Sequence, residues 1–252
     1  MKKTTTLFHW SAQRTYALCL ATLLLPLVSY ATSLEIDPVR LNLNAKQQTA
    51  AITIRNNSNA ATTIEIKGTQ WTQVDANDVY TPTRELLVFP PVVTIAAHGS
   101  QIVRAALRRQ PDASHEMAYR INLAEVPPEP VAGVTGVQVA LRIGLPVFVA
   151  AKNGKSAPKM QWSAMRTSEQ DLTVTLKNAG SAHIQVTDFS LSVPGSDAQV
   201  ATEQRSSYVL AGQSHTWTLK APSADLLNGA RLRLKVYTDA GDADQELPLD
   251  RP

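Results

Sequence analysis

From position 33 onward, apolar side chains recur at alternate positions, the period of strands whose successive residues face opposite sides of a sheet. The runs Ser33–Leu43, Thr49–Arg55, Thr62–Trp71, Ser100–Leu107, Met117–Val126 and Gly136–Val149 follow this period and are rich in Val, Ile and Thr. Turn-forming clusters lie between them: Asn56-Asn57-Ser58-Asn59, Asp75-Ala76-Asn77-Asp78, Ala97-His98-Gly99, Gln110-Pro111-Asp112 and Pro127-Pro128-Glu129-Pro130. After a polar, lysine-rich break at Lys152-Asn153-Gly154-Lys155-Ser156, strands are predicted at Lys159–Arg166, Asp171–Lys177, Ile184–Val193, Ser214–Ala221 and Arg231–Thr238. Ser223–Leu227 offers at most one helical turn. The chain reads as all-β, and the strand spacing suggests sandwiches.

The two halves share a local pattern. Lys177-Asn178-Ala179-Gly180 parallels Arg55-Asn56-Asn57-Ser58, each closing a strand of alternating Thr and apolar residues with an Asn-containing turn. This is consistent with two sandwiches of related topology. The first residues depart from the pattern: Lys2, Lys3 and Arg14 precede an apolar run from Tyr16 to Val28, broken only by Thr22 and Pro26 and followed by Ser29 and Ala31. That order is the pattern of a cleaved secretory signal, and the run is short for a membrane span. Residues 1–31 are therefore set aside, leaving 221 of 252 residues, enough for two ordinary domains at 32–151 and 152–252.

Removing the signal changes the charge. It carries three of the 24 basic residues and none of the 21 acidic ones, so the remainder is formally neutral, and the sequence pI of about 9.0 gives no support to a nucleic-acid or other polyanionic partner. The only cysteine, Cys19, also falls in the signal, so the secreted chain has no thiol for an intramolecular disulfide. Its stability must come from packed cores.

One strand carries more than a structural pattern. Along it Val137, Val139, Leu141, Ile143 and Leu145 alternate with Gln138, Ala140, Arg142 and Gly144, which gives one strongly apolar face. Such a row suits an ordinary strand half-buried on its own core. It equally suits an edge strand whose row completes another protein's sandwich, worth about 6–12 kcal/mol for four such side chains before association costs. An exposed apolar edge invites aggregation, so a protein that keeps one must use it or cover it.

Several segments of the first half carry a family resemblance. Ser33-Leu34-Glu35-Ile36-Asp37-Pro38-Val39-Arg40, Leu87-Val88-Phe89-Pro90-Pro91, Ser100-Gln101-Ile102-Val103-Arg104 and Tyr119-Arg120-Ile121-Asn122-Leu123-Ala124-Glu125-Val126-Pro127 resemble, in order and spacing, the periplasmic chaperones of chaperone-usher pili. The second half resembles them loosely, chiefly through Val236-Tyr237-Thr238-Asp239-Ala240-Gly241. The resemblance implies two immunoglobulin-like β-sandwich domains in an L-shaped arrangement, a periplasmic location, and pilus subunits and an outer-membrane usher as partners. It makes Val137, Val139, Leu141 and Ile143 the donor strand. It also places Arg40 on the first of two basic residues that anchor a subunit's C-terminal carboxylate, and a guanidinium fork suits that task. The lysine expected as the second anchor aligns with Gly144, which leaves Arg142 or another basic residue for the role; Arg104 and Arg120 have structural or binding roles that the sequence does not separate. This departure and the Leu145-Pro146-Val147-Phe148 ending point towards a divergent, archaic branch. Asp239 matches an acidic residue of the family's interdomain ion-pair network, or is a solvated turn charge. The same free edge is open to self-association when no subunit is bound.

Other chemistry is weak. His9, His98, His115, His183 and His215 are scattered, with none at metal-ligand spacing, and Asp239, Asp242 and Asp244 lack the spacing of a calcium loop. No phosphate-binding loop or nucleophile elbow is present. No enzyme activity, metal, cofactor or small-molecule substrate is expected. The alternatives are a secreted pilus subunit or adhesin, which would usually be a single disulfide-bonded domain, and a carbohydrate-binding β-sandwich. The latter should show an exposed aromatic row, whereas Trp71, Trp162 and Trp217 sit in or beside strand patterns where core packing is the common role.

Overall fold

Residues 33–127, 139–153, 155–168, 170–195, 199–220 and 231–250 are described by the computed structural model, and they form eighteen strands with no helix. The signal segment 1–31 and Val137 of the predicted donor strand lie outside the described residues. Two runs of the first half change sheets part-way. β1 (Leu34–Asp37) pairs with β3 (Thr49–Asn56); beyond a cis Asp37–Pro38 bond, β2 (Leu41–Leu43) runs parallel to β10 (Arg142–Val149). β6 (Leu86–Phe89) pairs with β8 (Ser100–Leu107); beyond a cis Phe89–Pro90 bond, β7 (Val92–Ile95) pairs with β4 (Thr62–Val74). Proline has no N–H for a ladder, so a strand is interrupted at each of these points.

With β5 (Asn77–Pro82) and β9 (Met117–Val126) added, the first half has a four-stranded sheet in the order β1-β3-β8-β6 and a six-stranded one in the order β2-β10-β9-β4-β5, with β7 also on β4. Their inward rows meet in one core that includes Ile52, Ile54, Ile64, Ile66, Val103 and Ile121. The second half is built in the same way. β11 (Met160–Arg166), β12 (Asp171–Asn178) and β16 (Ser214–Lys220) form one layer, and β13 (Ile184–Ser192), β14 (Gln199–Glu203), β15 (Ser207–Val209) and β17 (Arg231–Thr238) the other. β18 (Ala243–Asp250) joins them, antiparallel to β17 and parallel to β11 at its last two residues. Leu172, Val174, Phe189, Trp217 and Leu234 lie in this second, separate core. The fold is all-β, two immunoglobulin-like sandwiches.

The asparagine turns are equivalent. Asn56 is fully buried and its Nδ2 donates to the carbonyls of Ala60, Ile95 and Ala96, while Asn178 donates in the same way to Ala182, Val209 and Leu210. Each ties the end of its strand to a loop about thirty to forty residues further on, where bare carbonyls would otherwise be buried without partners. The structure also adds strands where the sequence pattern indicates none: β5, β6, β7, β14, β15 and β18. The acidic stretch containing Asp242 and Asp244 is not wholly a solvated turn, since Asp244 lies in β18 and pairs with Arg233 of β17 at 2.6 Å.

Candidate functional site

β10 starts the site. Its inward row, Leu145, Val147 and Val149, is buried in the first core, and Ile143 packs partly against that core. The row then leaves it: Leu141 is half-buried and Val139 is 75% exposed. On one side β10 is paired with β9 along its whole length, from Arg142 opposite Ala124 to Val149 opposite Met117. On the other side β2 covers only Val147–Val149, so no described strand pairs with Arg142–Pro146 there. The Glu125 amide bonds the Leu141 carbonyl at 2.9 Å, which directs the odd-numbered peptide groups towards β9 and the even-numbered ones, Arg142 and Gly144, towards the open side. Pro146, with no N–H, sits where open edge gives way to paired edge.

The opposite face of the same sheet looks towards the second half, and cations gather on it. A methyl group placed on Gly144 would stand 2.6 Å from Nε of Arg120, so the glycine is what allows the Arg120 side chain to lie across β10. The Arg120 guanidinium is 5.0 Å from the Trp71 ring and 5.3 Å from that of Tyr80, bonds the Tyr80 hydroxyl, and is 4.0 Å from Asp78 Oδ2. Arg40, between β1 and β2, bonds Asp239 Oδ2 through Nη1 at 2.8 Å. Tyr208 on β15 senses both cations: burial pushes its hydroxyl up, and the charges of Arg40 and Arg120 pull it back. Both guanidinium groups thus act on the same hydroxyl.

This cleft has a rigid floor. Trp71, Phe148 and Leu210 form a small third core with Ala118 and Tyr208 against it, and the Trp71 and Tyr208 rings meet edge-on at 5.4 Å. Gln73, buried, donates Nε2 to the Tyr208 carbonyl at 2.8 Å and accepts the Leu210 amide on Oε1 at 2.9 Å, like one rung of a β-ladder between the halves. Asp78 Oδ1 accepts from both Trp71 Nε1 and Gln73 Nε2 at 2.9 Å. Asp239 Oδ1 takes the Gln185 amide at 2.9 Å; burial would raise its carboxyl, but bonds from His183, the Gln185 amide and Arg40 together bring it down to about 2.

Residues 33–154 match the family described as pili and flagellar-assembly chaperone, PapD N-terminal domain. Residues 33–154 thus form an N-terminal domain of this kind. Solved structures with the same fold include the CsuC–CsuE chaperone–tip adhesion subunit pre-assembly complex from archaic chaperone-usher Csu pili of Acinetobacter baumannii, at TM-score 0.63 and 18% identity over 87% of this chain and 99% of the other. The Pseudomonas aeruginosa CupB2 chaperone matches at TM-score 0.55 and 19% identity, over 85% and 100% of the two chains. A complex of the Salmonella enterica SafA pilin with the SafB chaperone matches at 0.56 and 15%, over 88% and 97%. No curated protein matches by sequence.

The structure brings Arg40 and Asp239 into direct contact, but the strand expected from Gly136 is assigned only from Arg142: of the apolar row, Ile143 lies within β10, while Leu141 and Val139 precede it outside any strand. Arg142 is exposed on the outward face of β10 and makes no ion pair with a described residue. Arg120, Gln73 and His183 join the cleft, and sequence reasoning gave none of them a place there. Only the glycine at the lysine position was a signal, because a missing side chain on β10 leaves room for one from β9. Trp71 is buried between the halves and Trp217 inside the second core, in keeping with packing roles.

Proposed function

We propose that the chain is a periplasmic assembly chaperone that captures pilus subunits by lending them the outer half of β10 and delivers them to an outer-membrane usher. Residues 1–31 are its cleaved signal, 32–151 its subunit-binding domain and 152–252 its second domain. The observation that carries this reading is the open side of β10 over Arg142–Pro146, with an apolar row that continues past its own core to Val139. Backbone groups of Arg142 and Gly144 would set the register of an incoming strand. The side chains at 137, 139, 141 and 143 would fill its sandwich, each contributing about 1.5–3 kcal/mol on full burial.

Arg40 and Arg120 are assigned as the carboxylate anchor, with Arg142 further out along the lent strand. The influence of both on Tyr208 and the lie of Arg120 over Gly144 support this choice. Release needs no nucleotide, because a subunit is surrendered when a better-fitting strand replaces β10. The test is co-purification of the tagged, secreted protein with co-expressed candidate subunits. Leu141→Glu is expected to abolish capture, Arg40→Ala and Arg120→Ala each to weaken it at least tenfold, and Arg142→Ala to have the smallest effect. Undiminished capture by Leu141→Glu would remove the strand-lending mechanism, and a larger loss from Arg142→Ala than from Arg120→Ala would reassign the second anchor.

A further inference from the structure

Asp239 Oδ2 is claimed twice. Arg40 Nη1 reaches it at 2.8 Å and His183 Nε2 at 3.6 Å, while Oδ1 is occupied by the Gln185 amide. The other ring nitrogen of His183 faces a second carboxylate, with Nδ1 2.6 Å from Glu116 Oε1, and the His183 backbone amide donates to the same oxygen at 3.0 Å. A neutral imidazole donates from one nitrogen only, so a ring with both nitrogens aimed at carboxylate oxygens fits the imidazolium. Its plane is fixed by stacking on Phe148 at 3.4 Å and 6°. Glu116, His183, Asp239 and Arg40 therefore form a line of alternating charge that crosses from the first half to the second and back.

We propose that His183 is a positioning residue for the carboxylate anchor: as an imidazolium it shares Asp239 with Arg40 and frees the guanidinium for an incoming carboxylate, and as a neutral ring it returns Asp239 wholly to Arg40. This rests on the anchor reading above. The charged and titratable groups around the ring are Glu116 ahead of β9, Asp239 after β17 and Tyr208 on β15, whose ring centre is 5.8 Å away. Arg40 acts on the ring through Asp239, and Arg120 lies beyond Tyr208. Burial pulls the His183 imidazole down, but its bonds to Asp239 and Glu116 and their charges leave it raised above the ordinary histidine range. The charged form accordingly persists to higher pH than in an ordinary histidine and is lost as pH rises through the raised value. By linkage, an anion bound at Arg40 favours that form further.

The test has two arms on the full secreted chain. NMR of the His183 ring should show its titration moved upward in Arg40→Ala, where a competing cation is gone, and downward in Asp239→Asn. Subunit capture should weaken about threefold or more between about pH 6 and pH 8.5 in the wild type and lose that dependence in His183→Gln. An unchanged His183 titration in Arg40→Ala overturns the proposal, as does a pH dependence of capture that survives His183→Gln. If the wild type captures no subunit at any pH, the subunit-binding reading fails, and the NMR arm decides the coupling by itself.

Discussion

β10 and β18 occupy the same place in the two sandwiches. Each is antiparallel to its predecessor for most of its length, and each then runs parallel to a strand at the start of its own half, β10 beside β2, the second strand, at Val147–Val149 and β18 beside β11, the first of its half, at Leu249–Asp250. Each makes that change directly after a proline, in Leu145-Pro146-Val147 and Leu247-Pro248-Leu249, with the leucine buried in both. Their outer halves differ in chemistry. β18 carries Asp244, Gln245 and Glu246, with Asp244 and Glu246 paired to Arg233 and Arg231, whereas β10 carries Ile143 and is preceded by the apolar Leu141 and Val139. Charged side chains protect an edge from pairing with other chains. Among the described strands topology leaves both edges open, and on the proposed function side chains decide which one is used.

The shared frame can be tested first. Asn56→Ala and Asn178→Ala each strip three carbonyls of their donor, all buried at Asn178 and buried or part-buried at Asn56, and each should cost about 3 kcal/mol in chemical denaturation; a large loss in one half alone would show that the two corners are not equivalent. Next, the protected edge can be made to resemble the other: replacing Asp244 and Glu246 with Val and Leu should add concentration-dependent oligomers beyond any of the wild type in size-exclusion chromatography, and elution identical to the wild type would mean that something besides charge guards β18. The smallest effect concerns acid. Because Asp239 is held down to about 2, its stabilisation is complete above the ordinary carboxylate range and is lost as pH falls from about 4 towards 2. The difference in melting temperature between wild type and Asp239→Asn should therefore be full near pH 5 and vanish near pH 2. Asp244→Asn, at an exposed pair, should leave melting nearly unchanged.

The same contrast explains what could be read in one dimension. β3 and β9 were legible because their buried rows alternate cleanly, whereas β10 was read from the apolar alternation ahead of it and is itself buried at every position from Leu145 to Val149. β18 was not legible, because its outer half is acidic and its inward side is marked mainly by Leu247. β5 is exposed at all six positions and so shows no inward row, and β6 and β7 are four-residue pieces around Pro90-Pro91. In the cleft, Arg40 and Asp239 were visible only through family resemblance. His183 looked isolated because its partner Glu116 is 67 residues away, and Gln73 finds its own partners 135 and 137 residues away. Such pairings are products of the closed fold and leave no local pattern.

Gly144 has a consequence for how the lent strand can vary. On the proposed function, a lysine at that position would tie the receiving charge to the strand that enters the subunit, and every change of register or sequence there would disturb both. With the charge rooted in β9 and resting over a glycine, Val139, Leu141 and Ile143 are free to be recut for a different subunit while the tail's berth stays where it is. The freedom ends at one residue, since a side chain at position 144 would force Arg120 to shift from its place across the strand.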